Sequence, residues 1–339
     1  MKLLIVTQKV DLRDPILGFF HRWVEEFAKH CEEVTVIAQW VKDHNLPLHV
    51  HVYSLGKEKG RSRLLQVCRY RWLLWSLRRD YDAVFVHMTP IWVVLGTFSW
   101  LILHKSVYLW YEIKRGSWVL SLALFLVRKV FAATPSGLPA PNAKLAVTGH
   151  GIDTELFRPG TEPRHRGMLL TIGRLTAIKN LDLLIRALRD LPSECTLTII
   201  GGTITEEDQR TRVRLEALAQ SESFRGRVHF VPFVSHPEIV PFLQHAALFV
   251  HAAQGGIDKV VLEAMACGCP VVSSSIAARH VLPEVCQAEH SAPGIAHAVR
   301  RILECSPEER ADLQQRLRAR VVQEHNLSHC IARIVQEMG

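Results

Sequence analysis

Two short segments of this 339-residue chain hold residue types suited to an anionic ligand. The first is Gly173-Arg174-Leu175-Thr176-Ala177-Ile178-Lys179-Asn180, in which two cations lead into a helix expected to begin near Leu181. A helix N-terminus carries unpartnered N–H groups and the positive end of the helix dipole. Cations beside it neutralise a diphosphate, and do so more strongly as charge grows on a leaving group. The second segment is Gly255-Gly256-Ile257-Asp258-Lys259-Val260-Val261-Leu262-Glu263-Ala264-Met265-Ala266-Cys267-Gly268-Cys269-Pro270. It reads as a glycine loop, a short helix, a glycine stop and a buried strand opened by proline. Gly255 and Gly256 let a ligand approach the backbone closely. Glu263 falls about one turn inside the helix, where its carboxylate would accept hydrogen bonds from a neutral polyol such as ribose. For residues 173–180 the competing expectation is a solvated basic turn, and for Asp258 it is a simple N-cap.

These segments need a scaffold that brings strand ends and helix starts together. Strand-length apolar runs occur at 3–6, 34–37, 50–53, 84–86, 107–109 and 145–147, and again at 168–172, 197–201, 228–230, 248–251 and 270–273. They alternate with helical patterns; after the first run, Phe20, Trp23, Val24 and Phe27 share one helical face. Such alternation predicts an α/β chain with two Rossmann-like, doubly wound parallel sheets whose ligands bind at the carboxyl edges of the strands. The expected domains are 1–158 and 159–325, with a C-terminal helix over 326–339 able to pack back on the first. The polar stretch 157–167, broken by Pro159, Gly160, Pro163 and Gly167, reads as the linker.

Composition agrees with two globular cores: 48% of residues are hydrophobic and 22% charged. Residues 1–158 hold 21 Lys and Arg against 13 Asp and Glu, whereas residues 159–339 hold 20 of each, so the +8 excess belongs to the first half. The span from Lys57 to Arg79 concentrates it, with eight cations and one anion among Leu64, Leu65, Cys68, Trp72, Trp75 and Leu77. Leu65, Cys68, Trp72 and Trp75 fall on one helical face. That face either packs on the chain's own sheet beneath a basic outer surface, or lies on an anionic membrane. No motif accompanies the charge that would suit nucleic acid. The eight cysteines show no Cys-x-x-Cys spacing, and several sit in apolar runs, which reads as buried, reduced thiols of a cytoplasmic protein. The N-terminal run is strand-length rather than a signal peptide, and the longest apolar stretch, 91–103, is shorter than the roughly 18–20 residues of a spanning helix. It is expected to be a buried helix of the first domain, leaving at most a peripheral attachment to the inner face of the plasma membrane.

The run from Val260 to Val272 resembles the donor-site signature of family-4 retaining glycosyltransferases of the GT-B fold, in which Glu-x7-Glu precedes Ala-Met-Ala-x-Gly-x-Pro-Val. The segment 173–180 is similar to the family's Gly-Arg-Leu…Lys-Gly/Asn motif, and Gly149-His150-Gly151-Ile152-Asp153 with Phe157 to its Asn-Gly-Ile-Asp…Phe segment. The resemblance implies a cleft between two domains. It implies that Arg174 and Lys179 hold the donor phosphates, that Glu263 holds the nucleotide ribose, and that Gly173, Gly256, Lys259 and Val260 line the nucleotide. Near the N-terminus, Pro15-Ile16-Leu17-Gly18 occupies the place of a small-residue loop facing the donor, with Gly18 at the close approach.

Two positions depart from the family pattern. The first Glu would fall at 255, which is Gly, so Asp258 caps the helix, takes over the contact with the sugar while Lys259 adds one to phosphate, or does both. After Leu109-Trp110-Tyr111, where relatives carry a histidine, stand Glu112 and Ile113; Glu112 is an acceptor-side base or a surface residue. The activity implied is retaining transfer of a sugar from a UDP- or GDP-linked donor to a hydroxyl of a glycan or lipid-linked acceptor, in cell-surface polysaccharide or glycolipid synthesis. It needs no cofactor beyond the donor and no metal. A phosphorylase of the same fold and a non-catalytic sugar-nucleotide-binding relative are the alternatives.

Overall fold

The computed structural model describes residues 1–14, 16–113 and 115–339. Along the chain come β1 (Lys2–Val10), α1 (Phe19–His30), β2 (Glu33–Val41), β3 (Val50–Ser54), α2 (Arg63–Ser76), β4 (Ala83–His87), α3 (Pro90–Ile102), β5 (Ser106–Trp110), α4 (Trp118–Leu126), β6 (Lys129–Ala132) and β7 (Leu145–Val147). There follow β8 (His165–Ile172), α5 (Leu181–Ala187), β9 (Thr196–Ile200), α6 (Glu206–Ala219), β10 (Val228–Val231), α7 (Ile239–His245), β11 (Ala246–His251), α8 (Lys259–Ala266), β12 (Val271–Ser273), α9 (Ala292–Leu303), α10 (Pro307–Glu324) and α11 (Leu327–Met338).

The chain forms two compact units, Met1–Gly151 with His325–Gly339, and Ile152–Glu324. The first contains a seven-stranded parallel sheet in the order β3-β2-β1-β4-β5-β6-β7. Its strands alternate faces: Leu3 and Ile5 pack with α1 and α11, whereas Leu4 and Val6 pack with α2 and α3. The second contains a five-stranded parallel sheet in the order β10-β9-β8-β11-β12. Two parallel sheets with helices on both faces are the α/β architecture that the alternation of patterns predicts.

The details differ from the expectations in four places. The division falls at Gly151/Ile152 rather than 158/159, because Ile152 and Phe157 are buried in the second core. Correspondingly the 157–167 stretch is part of the second unit, and β8 already starts at His165. Strand β6, between β5 and β7, has no counterpart among the expected runs. Helix α3 is buried on one side only: Trp92, Val93 and Trp100 face the core, while Phe98 and Leu101 are exposed. Most telling is α2, whose inward side consists of Gln66, Tyr70, Leu73 and Leu74. Leu65, Cys68, Trp72 and Trp75, the apolar stripe in the sequence, face solvent. The expectation that this stripe packs on the sheet is therefore overturned.

In the first unit α11 belongs to the core: Leu327, Cys330, Ile331, Ile334 and Met338 are buried with Phe27, Phe85 and Phe131, and Tyr108 Oη donates to the Met338 carbonyl at 2.8 Å.

Candidate functional site

The second sheet reverses its strand order between β8 and β11, which are direct neighbours. Ligands in this architecture usually bind at such a reversal, outside the carboxyl ends of the strands. The two glycine-bearing segments are the loops leaving those ends. They lie side by side: the Asn180 side chain donates to the Ala252 carbonyl (3.1 Å), and the Gln254 N–H donates to the Ile178 carbonyl (3.4 Å). Asn180 adopts φ +48°, a left-handed turn that ends the short 3-10 segment Ala177–Lys179 and starts α5. A Cβ on Gly201 at the end of β9 would sit 1.9 Å from the Gly173 carbonyl oxygen, so only glycine allows the 173–180 loop to turn there. Arg174 is exposed at the start of this loop.

Lys179 and Asp258, 79 residues apart, form an ion pair across the two loops. The same Asp258 oxygen accepts from His251 Nε2 at 2.8 Å; since a carboxylate can only accept, this nitrogen carries the proton. On the other side of the ring, Ser273 Oγ lies 2.9 Å from His251 Nδ1, and the Ser275 N–H donates to that hydroxyl at 3.1 Å. Burial alone would raise the Asp258 carboxyl; the hydrogen bond from His251 and the charge of Lys179 outweigh it and hold the group well below the usual carboxylate range. Asp258 stands at the N-cap of α8, yet its side chain makes no capping bond. The simple N-cap expectation is thus corrected: the carboxylate holds Lys179 and His251 and caps no N–H of the helix.

Glu263 is buried in α8, and its Oε1 lies 2.7 Å from His236 Nε2. His236 sits in the turn before α7, with its ring edge-on to Phe157 at 4.9 Å between centroids. A polyol reaching Glu263 would therefore meet a carboxylate whose one oxygen already holds an imidazole. Gly255 has φ +143° and open space where a Cβ would point. The backbone conformation, rather than crowding, disfavours a side chain at the position where the resemblance puts a glutamate. Gly256, Lys259 and Val260 follow at the helix start, Val260 half-buried against the second core.

The other candidates lie in the first unit. Gly18 precedes α1, and a Cβ there would come within 2.7 Å of the Asp14 carbonyl oxygen and 3.0 Å of that of Leu12, so its small size serves the turn itself. Asp14 pins that turn by accepting from the Ile16 and Leu17 N–H groups at 2.9 and 2.7 Å; Pro15 lies outside the described residues. Glu112 is half-buried and bound within its own unit. Its carboxylate accepts from the Ala133 N–H (2.6 Å) and the Thr134 hydroxyl (3.0 Å) beyond the end of β6. His150 is buried, with its N–H donating to His325 Nδ1 at 3.2 Å.

Spacing in the sequence did not reveal His251 or His236. The available signal was a histidine closing the apolar strand Ala246–His251, a polar group at the carboxyl edge where ligands gather. Among the described residues no group of three or more His, Cys, Asp or Glu is arranged to hold a metal ion.

Residues 166–305 match the sequence model of the family described as Glycosyl transferases group 1. A D-inositol 3-phosphate glycosyltransferase of Catenulispora acidiphila is 31% identical over 143 residues, which is 37% of this chain and 34% of that protein. The chain thus spans about a third of the length of the curated relatives it matches. Structural likeness extends over the whole chain. Anabaena Alr3699/HepE in complex with UDP superposes with a TM-score of 0.79 at 16% identity, covering 100% of this chain and 99% of that one. Sucrose-phosphate synthase of Thermosynechococcus elongatus superposes with a TM-score of 0.80 at 17% identity, covering 99% and 98%. The fold is that of the GT-B glycosyltransferases.

Proposed function

We propose that the protein transfers a sugar, with retention, from a UDP- or GDP-linked donor to a hydroxyl of a glycan or lipid-linked acceptor. The observation that carries this proposal is the joining of the two β8 and β11 loops by the Lys179–Asp258 ion pair at the strand-order reversal. There Arg174 and Lys179 meet the diphosphate beside the N-terminus of α8, with Gly173 and Gly256 allowing close backbone approach. Asp258 and His251 fix the Lys179 ammonium rather than binding sugar. As the donor bond breaks, charge grows on the phosphate oxygen, and cations already in place stabilise it without reorganising. Glu263, with His236, meets the ribose. Charge neutralisation by side chains and helix dipole leaves no step that calls for a metal ion. Support for a nucleotide-sugar donor also comes from relatives of the same fold, among them the Anabaena protein, whose structures hold UDP and UDP-glucose.

The test is a thermal-shift titration with UDP, GDP, their sugars and inorganic phosphate, alongside release of nucleotide from the sugar donors. A ligand at 100 times its Kd stabilises the native chain by about 2.7 kcal/mol. Stabilisation by a nucleoside diphosphate together with donor turnover is the expected result. A shift with phosphate alone would point to a phosphorylase, and nucleotide binding with no turnover in the presence of any acceptor would point to a non-catalytic relative.

A further inference from the structure

The first unit carries a second feature that the transfer chemistry does not use. Helices α2, α3 and α4 lie in sequence along one face of the sheet, α2 against α3 and α3 against α4. Their inward sides bury Tyr70, Trp92, Trp100 and Leu120. Their outward sides are also apolar. From α2 come Leu65, Trp72 and Trp75, of which Trp72 is 61% exposed. From α3 come Phe98, Leu101 and Ile102, and from α4 come Trp118 and Phe125, 75% and 77% exposed. Isolated exposed apolar residues are ordinary in soluble proteins, but large apolar side chains exposed together on three neighbouring helices mark an interaction surface.

We infer that this three-helix face docks on an anionic lipid bilayer, with its aromatic side chains entering the headgroup–acyl boundary. Two observations select that occupant. Across Arg63–Ser76, Pro90–Ile102 and Trp118–Leu126 there is not one Asp or Glu. Around them Arg63, Arg71, Arg78, Arg79, Arg115 and Arg128 are exposed. A second copy of the chain would bring these cations against each other with no carboxylate on the three helices to answer them, whereas anionic lipid supplies the missing charge. Tryptophan, with a broad apolar ring and one N–H donor, is suited to that boundary, and arginine stems reach from it to phosphate. No helix among the described residues is long and apolar enough to cross a membrane, so the attachment lies in the plane of the interface. Not every cation of the 57–79 segment takes part: Arg69 Nε donates to the Ser54 carbonyl at 2.6 Å and serves the fold.

Docking of this kind differs from adsorption by charge alone, because insertion survives salt that screens charges beyond about 8–10 Å. The full chain is sedimented with phosphatidylcholine vesicles, with and without phosphatidylglycerol, at low salt and at high salt. Vesicles containing bromine-labelled acyl chains report tryptophan depth, and maleimide labelling of Cys68 reports cover of the α2 stripe. Expected are binding that requires phosphatidylglycerol and persists in part at high salt, quenching of tryptophan by the bromolipid, and at least tenfold slower Cys68 labelling. The variant Phe98→Ser/Leu101→Ser/Phe125→Ser should lose binding by at least tenfold. It should keep the parent's melting profile and its thermal shift with nucleotide, since these side chains face outward. Failure to bind any vesicle, binding without bromolipid quenching, or a dimer in solution that the triple variant dissociates would each overturn the inference. None of these outcomes bears on the donor chemistry, which is read separately.

Discussion

Replacing Asp258 by asparagine removes one charge while keeping the side chain's volume and an acceptor oxygen for His251 Nε2. The decrement therefore reports mainly the bond to Lys179. The two side chains are 21% and 28% exposed. Exposed ion pairs contribute about 0–1 kcal/mol, whereas breaking a fully buried one costs about 3–5 kcal/mol. A pair at this depth should be worth about 1–2 kcal/mol, interpolating between those limits. For a unit of this size that corresponds to a fall in Tm of about 2–8 °C. The sign with pH follows from the depressed carboxyl: its contribution is present above the unfolded value, about 4, and disappears as the pH falls toward the folded value. Parent and Asp258→Asn should therefore converge on acidification. Thermal melts of Asp258→Asn, Lys179→Met and the double variant complete a cycle in which the singles should couple by about 1 kcal/mol or more. Additivity within about 0.3–0.5 kcal/mol would refute the pairing. If Asp258 acted only as a helix cap, asparagine would be tolerated, since the two cap about equally well.

If Arg174 serves the donor phosphate as proposed, Arg174→Ala should lower donor turnover by about 10²–10³ while leaving the melting profile nearly intact, because the side chain is exposed; unchanged steady-state turnover would remove Arg174 from the phosphate site. Glu263→Gln should weaken nucleoside diphosphate binding by about 1–3 kcal/mol without changing the response to inorganic phosphate, and calorimetry showing equal affinity would contradict the ribose contact. Thiol titration of the native chain should modify Cys68 first and the half-buried Cys305 more slowly. The six buried cysteines should react only after denaturation, since burial raises the thiols of Cys31, Cys269 and Cys286 to about 11, 11 and 12.

The parallel-sheet architecture was legible because buried parallel strands are short runs of β-branched and aliphatic residues, and eleven of the twelve strands among the described residues carried that signature. Strand β6 escaped because Lys129–Ala132 follows the apolar helix α4 across only two residues, with no turn signal between them. The direction of α2 was illegible for a different reason. Periodicity identifies a face but not what it faces, and here both sides of the helix are apolar, so the tyrosine–leucine side won the core and the tryptophan side was left outside. Phe157 misled in the opposite sense: one aromatic residue in a polar, proline-rich stretch was enough to bury the start of the supposed linker. Of the candidate site, local motifs suggest the cations and Glu263 as candidates, whereas the imidazoles that the structure sets against two acidic candidates, His251 against Asp258 and His236 against Glu263, carry no motif of their own.

The insertion of α11 among the core residues of the first unit has a consequence for synthesis on the ribosome. Residues 327–338 emerge after the entire second unit, so the face of the first sheet lined by Phe27, Phe85 and Phe131 must wait for them. The second unit, continuous from Ile152 to Glu324, can complete its own core meanwhile. During that interval the nascent chain presents an unfilled apolar groove beside finished structure, the condition under which chaperone capture and misassembly compete with folding. A release of the chain a dozen residues early would leave the carboxyl half intact and the amino half without the helix that closes it.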